Sequence, residues 1–271
     1  MDELKISLIQ TELYWENPEA NRKQFEEKID LIETETDLIL LPEMFTTGFS
    51  MNSVHLAEKM GGESLKWMKK LAHQRKTVIC GSLIIEEKGN YYNRLIWMQA
   101  DGKFEYYDKR HLFRMAQENR YFSPGKERLI TQIKGWKICP QICYDLRFPV
   151  WSRNQFKTDR NTYAHPEYDL LIYIANWPEA RVDAWKKLLH ARAIENQAYV
   201  VGLNRIGRDG KDVAYNGGSI VIDAKGMNLW EAEDNQEELI NIKLNMDQLE
   251  SFRKKFPVGM DGDEFELNIK H

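Results

Sequence analysis

The chain has 271 residues, with 38 Lys and Arg against 42 Asp and Glu, a formal charge of −4. That balance excludes the basic footprint of a nucleic-acid binder and the polybasic anchor of a membrane-surface protein. A content of 42 % hydrophobic and 30 % charged residues, with 8 Trp, 12 Tyr and 11 Phe to fill a core, excludes a disordered chain. No apolar run reaches the ~18–20 residues that span a bilayer. Residues 1–5 lack both the basic head and the apolar stretch of a signal peptide. Three cysteines, Cys80, Cys139 and Cys143, form neither a disulfide framework nor a zinc cluster. The expected setting is cytoplasmic and reducing, where a lone reactive thiol survives.

In chain order, residues 5–9 read as a strand. Asn17 and Pro18 then mark a helix start, Asn as N-cap and Pro at the first helical position. Phe25, Ile29 and Ile32 follow at i, i+4, i+7. Residues 37–41 form a continuous apolar run, as in a strand covered on both faces. Leu65, Met68, Leu71 and Ala72 mark a second helix, and residues 77–85 the next strand. Two hairpins are predicted, 91–99 with 104–107 across Asp101-Gly102, and 129–133 with 136–142 across Lys134-Gly135. A short helical stretch follows Cys143. Residues 169–175 read as a buried strand, and 180–197 as a long helix with Val182, Trp185 and Leu189 on one face. Strands at 199–206, 219–223 and 239–244 and a helix at 246–256 complete the pattern. Such alternation predicts an α/β fold with mixed sheets. The polar stretch 154–167 reads as an exposed loop insertion. No repeat or linker divides the chain, so one domain over 1–271 is expected, with a core over about 5–245 and a C-terminal helix and tail over 246–271.

Three strand ends carry unusual polar groups, and strand ends are where α/β folds build their sites. Glu43 lies just past residues 37–41, Lys109 just past 104–107, and Cys143 where 136–142 turns toward a helix. Alone, each has a bland reading: a solvated loop carboxylate, a surface ammonium, a small core residue. The last is the reading for Cys80 and Cys139. Cys143 differs in position, because free backbone N–H groups at a helix start can lower a thiol pKa and cradle an oxyanion.

Each of the three residues lies in an extended motif: Leu41-Pro42-Glu43, Asp108-Lys109-Arg110-His111-Leu112-Phe113-Arg114 and Cys143-Tyr144-Asp145-Leu146-Arg147-Phe148-Pro149. With Asn176-Trp177-Pro178 and Ala191-Arg192-Ala193-Ile194-Glu195-Asn196-Gln197, they resemble the nitrilase, or carbon–nitrogen hydrolase, superfamily over residues 5–265. Glu43-Met44-Phe45-Thr46-Thr47-Gly48-Phe49 and Phe148-Pro149-Val150-Trp151-Ser152-Arg153-Asn154 look closest to its bacterial omega-amidase branch, the 2-oxoglutaramate amidases. The departure is the polar stretch 157–166.

The resemblance implies a four-layer αββα sandwich of two mixed sheets with helices outside. It implies Cys143 as nucleophile, Glu43 as proton shuttle, and Lys109 with the backbone N–H of Tyr144 as oxyanion hosts. Glu118 matches a second glutamate that helps to hold substrate and lysine. The implied reaction releases ammonia from the terminal amide of small 2-oxo acids (2-oxoglutaramate, 2-oxosuccinamate) through a thioester, with no metal or organic cofactor. A homodimer or higher homo-oligomer is implied through 148–154 and 180–197. Asp145 and Arg147 are expected mainly to brace the nucleophile turn, and Arg192 with Glu195 to form a structural ion pair. A cation must meet the far carboxylate of such a substrate, and Arg114, Arg120 and Arg147 are nearest in sequence. Phe45, Phe113 and Trp177 are expected to wall the pocket, with plain core packing as the alternative for each.

Three other readings compete. Another nitrilase-type reaction, on a nitrile, a carbamoyl group or a different amide, would use the same Glu, Lys and Cys. A Cys–His hydrolase would need His111 or His190 beside the thiol. A non-catalytic binding protein could keep the fold.

Overall fold

The computed structural model describes residues 3–157 and 165–269. Two mixed sheets dominate it. The first has seven strands. Glu3–Gln10 runs parallel to Leu38–Leu40, which runs parallel to Val78–Glu87; the short Glu58–Lys59 also pairs parallel with Val78–Glu87, and Glu238–Asn245, Asn90–Met98 and Phe104–Asp108 add antiparallel neighbours. The second has six. Trp136–Ile142, Leu170–Ile174 and Tyr199–Leu203 are parallel at its centre, flanked by Thr131–Ile133, Ile220–Ile222 and Asn228–Glu231.

The run is unbroken over residues 38–41, after Asp37, because both faces of the strand are covered. Leu38 and Leu40 point into the layer between the sheets, in one buried cluster with Leu4, Ile6, Leu8, Trp136 and Ile138. Ile39 and Leu41 point the other way, onto the helices Pro18–Asp30 and Glu63–Arg75 through Phe25, Ile29, Met68 and Leu71. A strand with apolar contacts on both faces cannot alternate polar and apolar residues. The outer face of the second sheet is covered by Val182–Asn196, whose Trp185, Leu189 and Ala193 are fully buried. The result is the expected four layers, helix, sheet, sheet, helix.

The local signals behave as expected. Asn17 caps the first helix by accepting from the Ala20 N–H at 3.1 Å, with Pro18 in its first turn. Gly102 and the Lys134-Gly135 pair take positive φ in the hairpin turns. Two expectations need correction. Residues 199–206 are not one strand: pairing in the sheet stops at Leu203, and Ile206–Arg208 forms a hairpin with Ala214–Asn216. The break falls at Asn204, whose side chain donates to the Trp177 and Gly217 carbonyls instead of continuing a ladder. The stretch 154–167 is not simply an exposed loop either. Asn154 is buried, with its amide donating to the Tyr168 and Asn196 carbonyls, and Phe156–Lys157 pairs antiparallel with His165–Pro166. Residues 158–164 of that stretch lie outside the described residues. No helix of the described residues is long and apolar enough to cross a membrane.

The long helix lies so close to its sheet that Gly202 has no room for a side chain. A Cβ there would stand 2.5 Å from Leu189 Cδ1 and 2.8 Å from Trp185 Cζ2. Gly202→Val is expected to destabilise the fold by ~1–3 kcal/mol, read as a lower urea midpoint. An unchanged midpoint would mean that the helix shifts freely.

Candidate active site

The two sheets deliver their strand ends to one place. Glu43 follows Leu38–Leu40 and Lys109 directly follows Phe104–Asp108, both from the first sheet. Cys143 directly follows Trp136–Ile142 and Asn176 lies just past Leu170–Ile174, both from the second. Lys109 is the centre. Its ammonium donates to Glu43 Oε1 at 2.8 Å and to both oxygens of Glu118 at 3.0 Å. All three side chains are shut off from solvent.

Amide and backbone N–H groups bind the same carboxylates. Glu43 Oε1 accepts from Asn93 Nδ2 at 2.8 Å, and Oε2 from the Asn176 N–H at 2.8 Å. Glu118 accepts from the Phe113 N–H at 2.5 Å and from Asn93 at 3.4 Å. Sequence reasoning missed Asn93. It sits in the strand Asn90–Met98 next to Arg94, and nothing local separates a polar residue that faces a site from one that faces solvent.

Cys143 completes the group. Its Sγ donates to the Asn176 carbonyl at 3.8 Å. The residue has φ of +44°, a left-handed conformation that costs a side-chain-bearing residue roughly 1–3 kcal/mol. Asp145 braces that turn. Its Oδ2 accepts from the Ile142 N–H and the Tyr107 hydroxyl, and its Oδ1 from the backbone N–H and ring Nδ1 of His111. Arg192 adds a guanidinium bond to the Leu146 carbonyl while pairing with Glu195 at 2.9 Å.

The electrostatics correct one expectation. The Cys143 thiol is not acidified: burial, then the negative charge of Glu43, push it well above its ordinary 9.0, against the pull of Lys109. Burial alone raises Cys80, and burial raises Cys139 to about 12. Lys109 is held above its ordinary value by Glu118 and Glu43, although burial works in the opposite direction. Glu118 is raised by burial, partly offset by Lys109.

The group opens into a cavity of about 210 Å³. Phe49, Phe113, Tyr144, Trp177 and Tyr215 wall it, and Arg147, Arg181, Lys211 and Asp209 also line it. Of the expected pocket residues, Phe113, Trp177 and Arg147 are there. Arg147 does not brace the turn; its guanidinium lies 4.9 Å from the Trp177 ring centre. Phe45 is elsewhere, fully buried in the helix-facing core against Phe25 and Trp67. Arg114 is exposed and lines a separate cleft, and Arg120 is exposed beside Gln117. Neither His serves the thiol. His111 stacks on Phe148 at 3.7 Å and pairs with Asp145, and His190 is held by the Lys186 carbonyl and Asn228. Among the described residues no group of three or more His, Cys, Asp or Glu could hold a metal ion.

The sequence pattern of the carbon–nitrogen hydrolase family matches residues 5–254. The chain belongs to that family. It is 43 % identical over 267 residues to the omega-amidase YafV of Yersinia enterocolitica, covering 98 % of this chain and 100 % of that one. It is 33 % identical over 257 residues to the 2-oxoglutaramate amidase of Bacillus subtilis, covering 93 % and 95 %. Among solved structures it superposes with a TM-score of 0.95 and 41 % identity on XC1258 of Xanthomonas campestris, covering 99 % and 100 % of the two chains. XC1258 is a CN-hydrolase superfamily protein that carries an arsenic adduct in its active site.

This carbon–nitrogen hydrolase acts on carbon–nitrogen bonds, and it has enclosed two carboxylates with a single counter-ion. Lys109→Met would leave Glu43 and Glu118 facing each other unpaired, at a cost of ~3–5 kcal/mol near neutral pH. A carboxylate whose folded pKa rises above the ordinary 4.5 stabilises the fold at acid pH and loses that contribution as pH climbs through and beyond that value. The variant is expected to lie nearest wild type in acid and to fall behind progressively above it. Unfolding midpoints that differ by the same amount at all pH values would contradict this.

Proposed function

We propose that this carbon–nitrogen hydrolase is of the omega-amidase type, releasing ammonia from the terminal amide of small 2-oxo acids such as 2-oxoglutaramate and 2-oxosuccinamate. The observation that carries the reading is a buried ammonium between two carboxylates, next to a thiol on a strained turn at one end of a small cavity. The end-to-end likeness to an omega-amidase supports the substrate class.

An amide has a poor electrophile and a poor leaving group, so its hydrolysis needs a nucleophile, an oxyanion host and a proton shuttle. As the substrate carbonyl arrives, the Cys143 proton moves to Glu43 and Sγ bonds to the amide carbon. The oxyanion that forms faces the Lys109 ammonium and the Tyr144 N–H. Glu43 then delivers the proton to the amide nitrogen, the C–N bond breaks and ammonia leaves, with a thioester on Cys143. Glu43 next takes a proton from water; the resulting hydroxide attacks the thioester, the C–S bond breaks, and the proton returns to sulfur as the acid departs. Glu118 fixes Lys109 throughout. One preorganised oxyanion donor of this kind lowers the barrier by roughly 3–4 kcal/mol. Arg147, on the cavity wall, is suited to meet the far carboxylate.

The same reading proposes a homo-oligomer through 148–154 and 180–197, where Val150 and Ile194 are 54 % and 55 % exposed. Sedimentation is expected to show at least a dimer, and Ile194→Asp to shift it toward monomer.

The decisive assay compares ammonia release from 2-oxoglutaramate, a simple nitrile and an N-carbamoyl amino acid. Preference for the first is expected, with an acyl adduct on Cys143 visible by mass spectrometry after brief mixing. Cys143→Ala should lower kcat by on the order of 10⁴-fold or more. Turnover of the nitrile alone would remove the substrate assignment.

A further inference from the structure

Charge at the closed end of the cavity is paired; at its wall it is not. Arg147 and Arg181 both line the cavity. Arg147 rests over Trp177, and Arg181 has its guanidinium 5.5 Å from the Phe113 ring centre. Neither has a carboxylate partner among the described residues. The side chain of Arg181 donates to the thioether of Met115, a weak acceptor for a group with five N–H donors. Asp209, which lines the same cavity, is already engaged: its carboxylate accepts from the N–H groups of Lys211 and Val213 and from the Tyr215 hydroxyl.

The two arginines are also mechanically linked. Trp177, which carries Arg147 on its face, donates its indole N–H to the Arg181 carbonyl at 2.8 Å, and the Arg181 N–H donates to the Pro178 carbonyl at 2.9 Å. One short turn thus sets both the aromatic platform under Arg147 and the position of Arg181. Held in place before substrate arrives, such groups lose little freedom on binding.

We infer that Arg181 is a specificity-determining residue which, together with Arg147, recognises the head group of the substrate and selects a 2-oxo acid against the corresponding 2-amino acid. This rests on the omega-amidase reading above. A 2-oxo acid presents only acceptors, a carboxylate and the adjacent ketone oxygen, and guanidinium groups offer parallel donors to both. A 2-amino acid of the same length replaces the ketone by an ammonium. That group has only donors and a positive charge, and it would face two cations. Discrimination then comes from repulsion as well as attraction, and a misfit of donors against donors is harder to absorb than a missing methylene.

The test measures kcat and KM for 2-oxoglutaramate, L-glutamine and the uncharged amide butyramide in wild type, Arg181→Gln and Arg181→Lys. Both variants keep the backbone bonds of the turn. Because the head group is remote from the bond that breaks, the effect should appear in KM with little change in kcat. Arg181→Gln is expected to lower kcat/KM for 2-oxoglutaramate by about 10- to 100-fold and to leave butyramide within about twofold, so the preference for the 2-oxo over the 2-amino substrate shrinks. Arg181→Lys, which keeps the charge and loses the fork, should fall between. If wild type prefers 2-oxoglutaramate and both variants keep its ratio to glutamine, or lose all three substrates equally, the Arg181 assignment is overturned and the omega-amidase reading stands. If wild type shows no preference for 2-oxoglutaramate over butyramide, both are overturned.

Discussion

The site depends on one ammonium held between two carboxylates. Lys109 bridges Glu43 and Glu118 out of contact with water, so with both glutamates ionised the trio carries a single net negative charge. Ionising Cys143 by losing its proton to solvent would double that charge inside a poorly solvated enclosure, and this is why the thiol is held above its ordinary pKa. Passing the proton to Glu43 leaves the enclosed charge unchanged. On the proposed pathway it stays unchanged throughout, because each new charge on the substrate oxygen matches a proton resting on Glu43. A thiol pushed above its ordinary pKa is thus compatible with cysteine chemistry.

That arrangement needs the lysine strand and the nucleophile turn to be in fixed register, and Asp145 supplies the link. It binds Tyr107 and His111, two residues before and two after Lys109, and the N–H of Ile142, one residue before Cys143. A carboxylate that gathers four donors from two sheets holds the positive φ of Cys143 and the position of Lys109 together. Trp151 extends the link by donating its indole N–H to the Tyr107 hydroxyl at 3.0 Å. Buried polar groups of this kind stabilise little unless every member is satisfied, and here the members of the hub are.

Much of this was legible in the sequence where the signal is local. Apolar runs, Asn17-Pro18 and the two Gly-containing turns give the strands, first helix and hairpins; the strand ends single out Glu43, Lys109 and Cys143, and the resemblance of their motifs to the carbon–nitrogen hydrolases implies their roles. What was not legible depends on direction in space. Phe45 is two residues from Glu43, but Met44 between them takes φ of +44°, and Phe45 is sent to the opposite side of the sheet, against Gly81. Arg114 and Arg120 are near Lys109 in sequence and point away from the cavity, whereas Arg181 reaches it from the start of a distant helix. The sign of the Cys143 shift was not legible either. A nearby ammonium lowers a thiol pKa and enclosure raises it, and only the folded structure says how complete the enclosure is.

The site is divided by dielectric, and that division bears on what a substrate must look like. At the closed end no solvent screens the charges, so a group entering there must be neutral, as a carboxamide is; a charged group would upset the balance around Lys109 at a cost of several kcal/mol. At the wall, Arg147 is more than one-third exposed and Arg181 partly so, and unpaired cations are tolerable because water can reach them. Neutral amide inward and anion outward is therefore the polarity that the charge layout favours, and reversing the substrate would place a carboxylate against Glu43 and Glu118.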